Sequence, residues 1–307
     1  MKLSFKSGFV MGFLVALIIV PLEITVGGKI KNNIEQHRGF GSLCVRTQAQ
    51  AVSCGISPIN ERYHLTDYNG TNAYAPIYSD VEKNTYTTEN VVTENGYRYY
   101  TDNGKKVSLV GVDVSRYQNN IDWNKVKQSG VDYAILRVGY RGYGSEGKIV
   151  LDENFTAHAD GAALAGMPFG VYFFSQATTT AEAKEEAKTV IDALKNYKVD
   201  YPVVFDTELI PNSLARANDL DVESLTEIAD VFCKTIKSAG YEPMIYANER
   251  WFLLHLDLRK LSDYPLWLAA YKEEITFPYR IKMWQYTEKG TVDGIEGNVD
   301  LNICFEK

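Results

Sequence analysis

Cysteine and histidine are scarce, with four of each in 307 residues. The histidines, at 37, 64, 158 and 255, stand far apart, and no H-x-H, H-E-x-x-H or C-x-x-C spacing occurs. That argues against a metal centre, and no cofactor is expected. Basic stretches are missing too. Thirty-two Lys and Arg against 39 Asp and Glu give a formal charge of −7, with no stripe to neutralise phosphates, so a nucleic-acid partner is not expected. No internal repeat or low-complexity run interrupts the chain. A hydrophobic content of 45% is ordinary for a globular protein and allows one large domain with something smaller beside it.

Long apolar runs are absent except at the start. Lys2 and Lys6 precede an uncharged stretch from Phe9 to Val20, the order of a basic n-region and an apolar h-region, so residues 1–28 read as an export segment. Pro21, Glu23 and Val26-Gly27-Gly28 offer no clean A-x-A cleavage site, while the stretch to Val26 is just long enough to cross a bilayer. A cleaved signal peptide and a retained signal anchor both fit. Either places the remainder outside the cell or on its surface, with lysines holding the amino end inside in the anchored case. In that oxidising setting Cys44 and Cys54, ten positions apart, are close enough to close a small disulfide loop.

Residues 29–107 are rich in Tyr and Asn, with eight Tyr between Tyr63 and Tyr100. Asn95-Gly96 and Asn103-Gly104 bracket Tyr97–Thr101, the signature of a strand between two tight turns. This region reads either as a stalk or hairpin leaning on the next domain, or as a small β-module offering aromatics to sugars. From Ser108 to residue 307 apolar strands alternate with helices. Strands are expected at Leu109–Val114, Tyr133–Val138, Phe169–Phe174, Val203–Phe205, Met244–Tyr246, Leu266–Ala269, Met283–Tyr286 and Val299–Cys304. Helix starts are marked at Thr179-Thr-Ala-Glu182 and Asp221, and helix ends at Gly166 and Gly240. Eight short strands of this kind predict an α/β fold, a closed parallel TIM-like barrel.

Chemistry in such a barrel collects at the carboxyl ends of the strands. Tyr201-Pro-Val-Val-Phe-Asp206-Thr-Glu208 places two acids at i and i+2, on one face if the strand persists. Crowded carboxylates resist double ionisation, leaving one an acid and the other an anion, the pair that glycoside cleavage requires. Asp113 and Asp300 fall on the first and last strands, which are neighbours in a closed barrel. Tyr172, Phe174, Tyr246, Trp267, Tyr271, Trp284 and Tyr286 lie at equivalent strand ends and are candidates for stacking on sugar rings. Cys233 and Cys304 fall on opposite sides of a barrel, too far apart to bridge, and read as small buried hydrophobes.

Six segments in order, Gly111-Val-Asp113-Val-Ser-Arg-Tyr-Gln118, Asp122-Trp123, Val-Phe-Asp206-Thr-Glu208, Leu-Trp267-Leu-Ala, Met-Trp284-Gln-Tyr and Val-Asp300-Leu-Asn302, resemble the glycoside hydrolase family 25 muramidases, the lysozymes of the Chalaropsis type. The resemblance covers about residues 109 to 305. It implies a TIM-like barrel with irregular last units and cleavage of the β-1,4 bond between N-acetylmuramic acid and N-acetylglucosamine in bacterial peptidoglycan. It also implies Glu208 as general acid, with Asp206, Asp113 and Asp300 as the other cleft carboxylates. The chemistry expected is protonation of the leaving oxygen by Glu208, its pKa raised by Asp206, and attack by the substrate's own acetamido group, giving retention. A monomer is expected. The competing readings are a chitinase-like barrel, which the segment from Asp113 to Gln118 disfavours, and a glycan-binding barrel that has lost the reaction.

Overall fold

The structure, a computed structural model, describes residues 61–66 and 72–305. The export segment and the Cys44–Cys54 pair lie outside the described residues. Strands β1 (Glu61–Thr66) and β2 (Asn72–Ile77) form an antiparallel hairpin, and β3 (Val91–Glu94), β4 (Tyr97–Asp102) and β5 (Lys105–Lys106) form a meander. Both meander turns are Asn-Gly with positive φ at each residue, 53° and 84° at Asn95-Gly96 and 49° and 74° at Asn103-Gly104, the mirror-image turn whose twist matches the strands it joins.

Next come β6 (Leu109–Val114), α1 (Trp123–Gln128), β7 (Tyr133–Arg141), β8 (Ile149–Leu151), α2 (Phe155–Ala165), β9 (Phe169–Phe174) and α3 (Thr180–Leu194). They are followed by β10 (Val203–Asp206), α4 (Val222–Ser238), β11 (Pro243–Asn248), α5 (Glu249–His255), β12 (Leu266–Ala269), β13 (Met283–Gly290) and β14 (Val299–Cys304). The Asp122, Thr179 and Asp221 side chains accept the first-turn N–H of α1, α3 and α4, each satisfying a donor that the helix cannot. Gly166 ends α2 at φ 61°. The sequence signals omit β8, a short strand on the rim of β7, and α5.

Eight strands close into a barrel, with β6 pairing both β7 and β14. Seven run parallel. β14 is antiparallel to both neighbours, which corrects the expectation of an all-parallel barrel. The connection from Gly290 to Val299 is too short for a crossover helix, so the chain can only fold back on itself. This reversal matters for the site: Asp300, second residue of its strand, comes to the same rim as the carboxyl ends of the other seven.

Side chains alternate along β10. Val203 and Phe205 face the helices, where Phe205 meets Phe232 of α4 at 5.2 Å between ring centroids; Val204 and Asp206 point into the barrel. The interior is filled by Tyr133, Ile135, Val204, Met244, Trp267, Met283 and Cys304 among others, while Cys233 lies in the outer layer. Both thiols are buried.

Gly111 faces Tyr133 across β6 and β7, and a Cβ there would lie 2.1 Å from Cζ of the Tyr133 ring. That ring is stacked on Tyr201 at 4.4 Å and has nowhere to go. Gly111→Ala is therefore expected to lower the unfolding free energy by about 3 kcal/mol, read as a fall in the urea midpoint. An unchanged midpoint would mean that the barrel floor is looser than described.

The amino-terminal strands lean on the barrel. Tyr86 stacks on Phe305 at 4.0 Å, Tyr97 Oη lies 2.9 Å from Ser129 Oγ, and Tyr63 Oη donates to Glu249 at 2.7 Å. Tyr97 and Tyr100 are buried, so the aromatics of the meander mainly make a packing surface.

Candidate active site

The four carboxyl groups singled out in the sequence meet at the rim, joined by Glu288. Asp300 pairs directly with Asp113 in the β14–β6 register. Across the mouth, Asp206 ends β10 between Phe174 and Tyr246. Although the strand stops there, the pairing continues for one residue, since Thr207 N donates to Tyr246 O at 3.1 Å. Thr207 turns outward and accepts from Trp251 Nε1 at 3.0 Å. Glu208 therefore returns to the side of Asp206, as the i, i+2 spacing requires. Asp113, Asp206, Glu208 and Asp300 line one open pocket of about 210 Å³, together with Tyr172, Tyr246, Trp267, Tyr271, Gln285 and Glu288.

Hydrogen bonds distinguish the acids. Asp113 Oδ2 accepts from Gln285 Nε2 at 2.9 Å and from Asn302 Nδ2 at 2.8 Å. Gln285 Oε1 in turn accepts from the hydroxyls of Tyr246 (2.9 Å) and Tyr271 (2.8 Å), and Asn302 Oδ1 accepts from Trp267 Nε1 at 2.8 Å. These donors fix the amide orientations and favour a charged Asp113. Burial pushes Asp113 upward against them. Asp300, hydrogen-bonded to Asp113, is pushed up to about 9 by burial and by the Asp113 charge. The first pair therefore shares one proton, held by Asp300.

Asp206 and Glu208 form the second pair. Burial is the largest cause of the upward shift in both, and the Glu208 charge adds to it at Asp206. The hydrogen bond with Asp206 pulls Glu208 down, which corrects the expectation that Asp206 is what raises Glu208. Both groups are raised, so the pair keeps one proton between them beyond the ordinary carboxylate range, with Asp206 the deeper of the two. Asp206 Oδ1 is buried with no hydrogen-bond partner among the described residues.

Such crowding has a sign in stability. Between the ordinary carboxylate range and about pH 9 the folded protein keeps a proton on Asp300 that the unfolded chain releases, so stability falls as pH rises through that window and levels off above it. Asn at this position needs no proton and can still donate to Asp113. Asp300→Asn is expected to melt above the wild type at pH 8, with the gain fading as pH falls towards 4; equal melting temperatures at pH 8 would contradict the proton assignment.

The aromatic residues divide. Tyr172, Tyr246, Trp267 and Tyr271 line the carboxylate pocket, and Phe174 lines an adjoining one. Trp284 and Tyr286 do not reach the cleft, contrary to expectation. They alternate with inward Met283 and Gln285, so both face outward; Trp284 Nε1 donates to Ala270 O at 2.8 Å, and Tyr286 Oη accepts from Arg98 N at 3.1 Å. Missed by the sequence reading were Gln285, Asn302 and Glu288. Gln285 and Asn302 are buried polar residues, each flanked on both sides by apolar ones (Trp284 and Tyr286, Leu301 and Ile303), which is the signal that points to them. Among the described residues no group of three His, Cys, Asp or Glu is placed to hold a metal ion.

Comparison with known proteins decides the family. The sequence model of Glycosyl hydrolases family 25 matches residues 112–295. The chain belongs to this family. Its barrel is that of a family 25 glycoside hydrolase; Asp113, Asp206, Glu208 and Gln285 fall within the matched span, and Asp300 and Asn302 follow just after it. Among relatives, it is 26% identical to the autolytic lysozyme of Clostridium acetobutylicum over 63% of this chain and 55% of that protein. Among solved structures, it superposes on the modular autolysin LytC of Streptococcus pneumoniae with a TM-score of 0.58 and 25% identity, covering 80% of this chain and 57% of that one. The spore cortex lytic enzyme SleM of Clostridium perfringens gives 0.57 and 25%, covering 66% and 68%. The family 25 chain thus spans just over half the length of the lysozyme and of the autolysin.

Proposed function

We propose that the protein is an N-acetylmuramidase, a lysozyme-type enzyme that cuts the β-1,4 bond between N-acetylmuramic acid and N-acetylglucosamine in peptidoglycan. The observation that carries this reading is the hydrogen-bonded Asp206–Glu208 pair, opening to a trough and faced by Asp113 and Asp300. Family membership and lytic relatives support the substrate.

The unpartnered Asp206 Oδ1 suits a donor brought by the substrate. When the acetamido N–H of the muramic unit reaches it, the charged form of Asp206 is favoured and the shared proton passes to Glu208. Glu208 then protonates the glycosidic oxygen as the C–O bond breaks. The acetamido carbonyl oxygen bonds to the anomeric carbon, and Asp206 balances the oxazolinium charge. Water, deprotonated by Glu208, opens that ring from the other face, restoring the proton to Glu208 and giving net retention. Asp113, fixed by Gln285 and Asn302, and Asp300 position the sugar, while Tyr172, Phe174, Tyr246, Trp267 and Tyr271 supply its walls.

Residues 1–28 serve as a signal peptide or anchor, residues 29–107 join it to the barrel with a Cys44–Cys54 loop, and the enzyme acts as a monomer outside the cell or on its surface. Incubation with isolated sacculi should release new reducing ends. Bound but uncut sacculi would favour the reading as a binding barrel, and cleavage of chitin oligosaccharides in preference to peptidoglycan would favour the chitinase-like one.

A further inference from the structure

Beside the carboxylate pocket, and sharing Tyr172, Asp206 and Glu208 with it, lies a second pocket of about 450 Å³. Its wall away from the shared acids carries the opposite charge. Two guanidinium groups, Arg116 and Arg137, enter it from β6's trailing loop and from β7. Both lie 5.3 to 5.8 Å from the ring centroids of Tyr117 and Tyr140, a geometry that holds the cations in place without neutralising them.

One carboxylate serves the two arginines, and its acceptors are taken. Asp152 Oδ2 accepts from Arg137 Nε at 2.6 Å and from the backbone N of Arg116 at 3.0 Å, and its Oδ1 accepts from Asn154 N at 3.0 Å. This orients Arg137 but leaves its Nη2 buried and without a hydrogen-bond partner among the described residues. The Arg116 guanidinium forms no ion pair among them. A buried guanidinium nitrogen lacking an acceptor is costly in an empty protein and is satisfied when a ligand brings an oxygen. Two adjacent guanidiniums match the two oxygens of a carboxylate. Asp152 balances the charge of Arg137, so in a protein with formal charge −7 the Arg116 guanidinium and the open Nη2 of Arg137 are what the pocket offers to an anion.

We propose that this pocket is an anion subsite through which the enzyme selects a carboxylate on the glycan strand. The inference rests on the muramidase reading and narrows its substrate. Two groups on peptidoglycan carry that chemistry next to the scissile bond: the lactyl carboxylate of a muramic unit without its peptide, and the free carboxylate of the stem peptide's glutamyl residue. Bound there, the carboxylate ties one sugar to the arginines while its neighbour lies over the acids.

The test uses two matched substrate pairs: peptide-free strands with lactyl groups as acids or as methyl amides, and peptide-bearing strands with the glutamyl carboxylate free or amidated. The wild-type protein should cleave the acid member of one pair with kcat/KM about tenfold or more above its uncharged partner, and which pair responds identifies the carboxylate. Arg116→Gln, at a solvent-facing side chain, should bring that ratio close to one by raising KM on the acid with little change in kcat. Arg137→Lys, which keeps the charge beside Asp152 but not the fork, should reduce it in part. Arg137 also lowers the pKa of Asp206, and an effect through that route alone would slow both members alike. Equal cleavage within both pairs by the wild type, or equal losses in the variants, overturns the subsite and leaves the muramidase reading standing; no cleavage of any strand overturns both.

Discussion

Glu208→Gln is expected to lower kcat on peptidoglycan by on the order of 10³-fold, with KM nearly unchanged, because the amide keeps the shape of the side chain and removes its transferable proton. The pH profile carries the same information. An acid acts only while protonated, so activity falls as pH rises through the apparent pKa of the pair. Both Asp206 and Glu208 are raised, chiefly by burial, which places that limb above the ordinary carboxylate range. The residual activity of the variant should lack it. Full activity in Glu208→Gln would transfer the acid role to another cleft carboxyl, with Asp300, already protonated up to about pH 9, the first to consider.

Asp206→Asn is expected to cost roughly 10²-fold or more in kcat, the scale of losing one preorganised electrostatic partner of a developing charge. Asparagine retains a carbonyl to accept the acetamido N–H, but it cannot balance the oxazolinium charge or hand a proton to Glu208. The proposed route ties this residue to one chemical group of the substrate. Strands whose muramic amino groups carry no acetyl lack the nucleophile and should slow the wild type by more than this, and on them Asp206→Asn should add little, since the oxazolinium that Asp206 balances no longer forms. Losses that multiply would separate Asp206 from the acetamido group and favour direct attack by a carboxylate.

What was legible in the sequence follows from which constraints are local. Asn-Gly pairs fix a turn through the φ angles of two residues, and the meander appears where they stand. The spacing of Asp206 and Glu208 sets their common side because a strand has a period of two, even though the strand stops between them. Gly111 is required by a ring 22 positions away, and that the sequence does not display. The direction of β14 depends on how few residues separate it from β13, and that reversal is what delivers Asp300 to the rim. Trp284 and Tyr286 were misplaced by one residue of phase: an aromatic at a strand end faces the cleft or the helices according to its parity, and Gln285 occupies the inward position between them. Arg116 and Arg137 were invisible as a pair because their meeting depends on two strands lying side by side, and Asp152, which orients one of them, comes from a third segment.

A muramidase is distinguished by which bond it cuts and by the sugar left at the new reducing end. Peptidoglycan digested with the purified protein, reduced with borohydride and analysed by mass spectrometry should yield fragments ending in muramitol, and the same digestion with Glu208→Gln should leave the strands whole. Fragments ending in glucosaminitol would contradict the account, because they place the opposite glycosidic bond over the Asp206–Glu208 pair.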